Sequence, residues 1–156
     1  MAAQCEKIRY KSNKMVFEYG DVADCMYRIE YGIVDIYLNY KKPQQKRIAT
    51  LTEGQFFGEM GLMDGTLRSA TAVSRLDGTL LKVYRREQLT DILNGEPVVF
   101  RELLSQMSEN LFHLTDRYLD ICRTIAAYEN AEADGGKVDK NVQNDIEKYA
   151  DLYQKG

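Results

Sequence analysis

The chain has 156 residues, with 44% apolar and 29% charged side chains, 11 Gly and only 2 Pro. Such a composition folds around one main core and excludes disordered, collagenous and fibrous classes. With 21 Lys+Arg against 24 Asp+Glu the formal charge is -3 and the pI about 5.3, so no general attraction to nucleic-acid backbones or anionic lipid is available. The opening MAAQCEKIRYKSNK is charged throughout where a secretory leader needs an apolar stretch, and a cytoplasmic location without membrane association is expected. Cys5, Cys25 and Cys122 are odd in number and far apart, which suits reduced thiols and offers no CxxC ligand pair. The single histidine, His113, has no partners at metal-ligand or catalytic-triad spacing, so no metal, prosthetic group or enzymatic activity is expected.

In chain order, Val16 to Tyr19 reads as a first strand closed by Gly20-Asp21, and Met26 to Ile29 as a second ending near Gly32. From Ile33 to Tyr40, Val34, Ile36 and Leu38 alternate with Asp35, Tyr37 and Asn39, the pattern of a strand with one buried face. A polar turn at 41–45 precedes a strand over Lys46 to Leu51. Strands at Ala70 to Ser74 and Thr79 to Tyr84 flank Arg75-Leu76-Asp77-Gly78, whose Asp-Gly pair is a hairpin signal. Strands so regularly spaced imply an antiparallel sandwich or barrel.

Beyond Arg86 the pattern is helical: a short helix to Leu93 stopped by Asn94-Gly95, then a long one opening on Pro97, whose missing N–H is harmless in a first turn. Leu104, Leu111, Tyr118 and Ile125 recur every seven residues, and Met107, Leu114, Ile121 and Tyr128 follow three positions later. This a/d seam predicts pairing with a second copy, while Phe100, Leu103 and Leu119 beside it are expected to pack on the β unit. After a break at Ala133 to Gly136, Val142, Ile146, Tyr149 and Tyr153 predict a tail helix over Val138 to Tyr153.

The segment FFGEMGLMDGTLRSATA, 56–72, is hard to explain by packing alone. Gly54, Gly58, Gly61 and Gly65 bracket Phe56, Phe57, Met60, Leu62 and Met63, a backbone able to crowd its amides toward a ligand between apolar anchors. A helical turn over Met60 to Met63 presents free N–H groups to an anion, Arg68 offers a guanidinium fork matched to phosphate oxygens, and Glu59 offers acceptors to a sugar hydroxyl. Taken by themselves these residues also suit a plain turn with a salt bridge.

FGEMGLMDGTLRSATA closely resembles the phosphate-binding cassette of cyclic nucleotide-binding domains. The resemblance runs on through Val16-Phe17-Glu18-Tyr19-Gly20-Asp21, Met26 to Gly32 and Lys82-Val83-Tyr84, covering 15 to about 130. It implies an α+β fold: an antiparallel β-roll, or double-stranded β-helix of jelly-roll type, with a short cassette helix and C-terminal helices. By the same resemblance Glu59 accepts the ribose 2′-hydroxyl, Arg68 holds the cyclic phosphate, and Gly58, Met60, Gly61, Ser69 and Ala70 supply backbone or hydroxyl contacts. Ser69 resembles the members that use cAMP, with cGMP the alternative, and Thr115 occupies the place of a lid contact to the base. Gly61 stands where many members have Ala, and Leu67 where many have Pro, which implies a looser cassette.

The resemblance thus implies a domain over 1–130 that includes the long helix, with 131–156 as linker and tail helix. Bacterial members continue into a winged helix-turn-helix, whereas 131–156 holds six acidic and four basic residues and no basic recognition helix. The expected object is a cAMP-sensing regulatory module without a DNA-reading domain, coupled through the helix Pro97 to Asn130 to an effector protein still unknown. The alternative is an assembly module whose β-roll no longer binds nucleotide. A full switch between two shapes needs a ligand affinity ratio of about 10⁴.

Overall fold

The computed structural model describes residues 6–90 and 97–133, together with 140, 143–144 and 146–147. It divides into two compact units, Met1–Gln106 and Met107–Gly156.

Eight strands are described in the first unit: β1 Lys7–Tyr10, β2 Met15–Phe17, β3 Cys25–Tyr31, β4 Val34–Leu38, β5 Lys46–Leu51, β6 Phe56–Phe57, β7 Thr71–Ser74 and β8 Thr79–Arg85. Helix α1, Glu59–Asp64, lies between β6 and β7 in the chain, and helix α2, Pro97–Ala133, starts in this unit and runs into the second. The strands form two antiparallel four-stranded sheets, ordered β1-β8-β3-β6 and β2-β7-β4-β5, the expected β-roll.

Successive residues of a strand point to opposite faces, so β3 feeds two cores at once. Cys25, Tyr27 and Ile29 join Val34, Phe57, Ala72, Leu81 and Val83 in the larger cluster, built from strands of both sheets. Met26, together with Phe56 and Tyr84, joins Leu62 of α1 and Leu103 of α2 in a second cluster. One sheet is therefore covered on both faces, which is why β3 lacks the alternation of a half-exposed strand. Each fully buried side chain of this size, such as Phe56 or Tyr84, contributes about 1.5–3 kcal/mol.

The tertiary structure corrects several sequence expectations. β1 and β6 were not foreseen, because KIRY is half polar and Phe56-Phe57 is too short to show a period. The Asp77-Gly78 turn does not close a hairpin: β7 pairs with β2 and β4, β8 with β1 and β3. Asp77 accepts the Ser12 N–H at 2.7 Å, and Gly78 N–H donates to Tyr10 O at 3.0 Å, so the turn is stitched to the chain after β1 and carries β8 into the other sheet. In β4 the alternation fails at Asp35, which is buried; its carboxylate accepts from Thr50 Oγ1 at 2.6 Å and sits 3.4 Å from Arg47, while Leu38 is exposed.

After β8 the described chain makes a 3-10 turn, Arg86–Gln88; the rest of the short helix expected to Leu93 lies outside the described residues from 91 onward. Leu103 is buried and Phe100 half-buried, as expected, but Leu119 is 45% exposed. In the second unit, the part of α2 from Met107 to Asp120 is exposed at every position, and Leu111, Leu114 and Tyr118 of the seam stand more than 60% exposed. Most of the expected tail helix lies outside the described residues; Ile146 is described, in helical backbone and half-buried. No helix among the described residues is long and apolar enough to cross a membrane.

Candidate functional site: the α1 cassette

β6 leads into α1 through Gly58, which takes the left-handed conformation at φ 76°. A side chain there would be strained by that φ, and its Cβ would stand 2.7 Å from Arg68 Nη1 and 3.2 Å from the Phe17 ring. Two residues into the helix, Gly61 is buried, and a Cβ on it would lie 2.6 Å from Ala23 Cβ and 2.8 Å from Thr66 O. Gly61 is therefore a close-packing position, where the missing Cβ lets α1 press against Ala23, so the expected looseness finds no support at this residue.

Arg68 is held from both directions of its backbone. Its N–H donates to Asp21 O and its carbonyl accepts from Gly20 N–H, each at 2.9 Å, beside an isolated antiparallel bridge between Val22 and Leu67. The turn at 18–21 that binds it is fixed by one of its own side chains and by one from β7: Glu18 N–H donates to Asp21 Oδ2 at 2.8 Å and Tyr19 N–H to Thr71 Oγ1 at 3.0 Å. The Glu-Tyr-Gly-Asp motif thus frames the arginine.

The Arg68 guanidinium is buried, at 4% exposure. Nη1 donates to Gly58 O and Nη2 to Cys25 O, both at 2.6 Å. Its plane lies 4.2 Å from the Phe17 ring centre and 5.8 Å from that of Tyr27, within an aromatic group completed by Phe57. Nε has no hydrogen-bond partner. The fork expected to close the pocket is thus engaged by neutral carbonyls, which are the acceptors that β3 and the β6–α1 junction bring within reach. Among the described residues no carboxylate forms an ion pair with it. A buried cation whose attractions are carbonyls and ring faces is a group that gains from an incoming anion.

Glu59, the first residue of α1, is half-buried, and burial pushes its carboxyl above the usual value, partly offset by its own backbone amide and by Arg68. Burial likewise raises the Cys25 thiol and the Tyr27 hydroxyl beside the arginine, so both stay neutral. Of the other sequence candidates, Ala70 is buried, while Met60 and Ser69 are exposed. The first unit brings together Gly58, Glu59, Met60, Gly61, Arg68, Ser69 and Ala70. Thr115 belongs to the second unit, exposed on α2, with its hydroxyl donating to Leu111 O at 2.9 Å. No group of three or more metal-ligating side chains occurs among the described residues.

Phe17, Tyr27 and the Cys25 carbonyl were missed as site residues. Phe17 and Tyr27 lie in segments that carry the resemblance, but far from the cassette in sequence, and nothing there ties them to Arg68; only the pairing of β3 with β6 and the return of β7 gather them around it.

A two-sheet β-roll in which the short strand β6 leads into a glycine-entered helix, followed by a buried arginine, defines a phosphate-cassette domain. Residues 7–96 match the family model described as the cyclic nucleotide-binding domain, more than half of the chain, and the chain belongs to that family. It is 30% identical over 122 residues to a protein named cyclic AMP receptor protein from Thermus thermophilus, covering 78% of this chain and 54% of that one. It is 33% identical over 111 residues to a cGMP-dependent protein kinase of Plasmodium berghei, covering 71% of this chain and 11% of the kinase. The crystal structure of Thermus thermophilus catabolite activator protein superposes with a TM-score of 0.65 at 29% identity, over 79% of this chain and 57% of that one. The chain thus spans about half or less of the length of these relatives.

Proposed function

We propose that this chain is a regulatory module that senses a cyclic nucleotide, cAMP in the first place, and passes the binding event to α2. The observation that carries the reading is Arg68: buried, bonded to two carbonyls, and with Nε unpartnered. A cyclic phosphate replaces a neutral acceptor with an anionic one, and such charge-assisted bonds are roughly twice as strong. Glu59 receives the ribose 2′-hydroxyl, Gly58, Met60, Gly61 and Ala70 turn backbone groups to the ligand, Ser69 adds its hydroxyl, and Thr115 meets the base. The preference for cAMP rests on Ser69 and on the relative named for cyclic AMP; the cGMP-dependent relative makes cGMP the competitor to test. The functional domain runs over 1–130, with 131–156 as its tail. Two copies pair through Leu104, Leu111, Tyr118 and Ile125, each between 48% and 64% exposed, and a cytoplasmic effector protein reads the change.

The test is calorimetric titration with cAMP, cGMP and linear 5′-AMP. The expected result is saturable binding of a cyclic nucleotide, weakened about tenfold or more in Arg68→Lys, because a bidentate charge-assisted pair is worth about 1.5–3 kcal/mol. No saturable binding at millimolar cyclic nucleotide would refute the proposal.

The assembly reading draws on one observation, that the Arg68 fork already has two short acceptors in the chain itself. It requires an oligomer that forms through α2 and is indifferent to Arg68→Lys and to nucleotide.

A further inference from the structure

β6 is an edge strand of two residues, paired on one side with β3 at Tyr27↔Phe57 and Arg28↔Phe56. Its other edge is completed by a side chain instead of a strand. The Gln106 carboxamide accepts the Phe56 N–H at 2.7 Å and donates to the Phe56 carbonyl, also at 2.7 Å. A primary amide is the side chain able to present one donor and one acceptor side by side, as a neighbouring strand does. Around this clamp, Glu102 pairs with Arg28 at 2.8 Å, the Arg28 guanidinium lies 5.6 Å from the Phe56 ring centre, and Leu103 shares a core cluster with Leu62 of α1.

Two clamps therefore meet on three consecutive residues. Gln106 of α2 holds Phe56, and Arg68 holds the carbonyl of Gly58. An anion that draws the Arg68 fork toward itself competes with Gly58 O for Nη1 and frees the peptide beyond Phe57, while Phe56 stays tied to the helix. We infer that Gln106 is the positioning residue through which α2 reads the cassette, so that displacement of Gly58 reaches α2 through the paired bonds to Phe56. The inference rests on the nucleotide-sensing function proposed above and names the residue that transmits it. The ion pair has part-exposed partners and is a weaker link, as such pairs contribute little.

The experiment uses the full chain with Cys5→Ser, carrying an environment-sensitive dye on Cys122, an exposed thiol of α2, and reads nucleotide affinity by calorimetry beside the ligand-induced dye signal. Gln106→Leu is expected to bind cAMP within about threefold of the parent but to lose most of the dye response. Gln106→Glu provides the second arm. A protonated carboxyl has the donor and acceptor of the amide, so the response should return as pH falls from about 7 toward about 4, through the ordinary range of a glutamate carboxyl, and fade as the carboxylate forms. Arg28 and Glu102 are the charged groups facing this position from β3 and α2, and the parent chain measured at the same pH values corrects for them. A full dye response in Gln106→Leu with affinity intact, or a response in Gln106→Glu that follows the parent at every pH, overturns the clamp alone. Absence of nucleotide binding by the parent chain overturns the sensing function and the clamp together.

Discussion

Replacing Gly61 with alanine isolates what the tertiary structure adds to the glycine pattern. By helix propensity the change favours folding by up to about 1 kcal/mol. Against this, the new Cβ would stand 2.6 Å from Ala23 Cβ, 2.8 Å from Thr66 O and 3.2 Å from Leu67 O. Ordinary contact begins near 3.4 Å, so α1 has to retreat by about 0.8 Å, and the obstacles are a short side chain and backbone, which do not swing aside. The retreat also pulls on Leu62, buried in the cluster with Phe56 and Leu103. Overpacking of this kind costs about 1–3 kcal/mol, leaving a net loss of about 1 kcal/mol and a fall in Tm of about 2–4 °C for a chain of this length. Thermal unfolding by circular dichroism measures it, and Ala23→Gly in the same chain should recover part of the loss by removing the shortest contact. A Tm equal to or above that of the parent would show that α1 is as loose as its four glycines imply and that the packing argument is wrong.

Glu59 supplies a pH dependence. Because burial raises its folded carboxyl above the unfolded value of 4.5, the folded chain holds the proton longer, and stability falls as pH rises from 4.5 through the raised folded pKa. Melts of the parent and Glu59→Gln across that window should converge at acid pH and separate in favour of the variant above it; parallel curves would contradict the burial effect. For the seam, Leu111→Glu with Tyr118→Glu places charge on two positions each 64% exposed in the single chain. Pairing through the seam predicts that the parent sediments as a dimer and the variant as a monomer, with β-roll stability changed by less than about 0.5 kcal/mol, as for other surface substitutions; a monomeric parent, or a variant that stays dimeric, removes the seam.

Local chemistry makes part of this protein readable in one dimension. Glycines around apolar anchors, an arginine before a strand and apolar residues at heptad spacing act over a few neighbours, so the cassette helix, six of the eight described strands and the α2 stripe are legible from residues alone. Long-range pairing decides the rest. An Asp-Gly turn specifies that the chain reverses but not into which sheet, and Asp77 is bound by Ser12, 65 positions away. Asp35 is polar by type yet buried, because β5 and β7 on either side bring Thr50, Arg47 and Arg75 to its carboxylate. Arg68 could be picked out by its motif, but its stacking on Phe17, its grip on the Gly58 and Cys25 carbonyls and the Gln106 clamp on Phe56 depend on groups 10 to 51 residues apart. A hydrogen bond or ring contact acts over a few ångströms of space, and only the folded sheets determine which distant residues come that close.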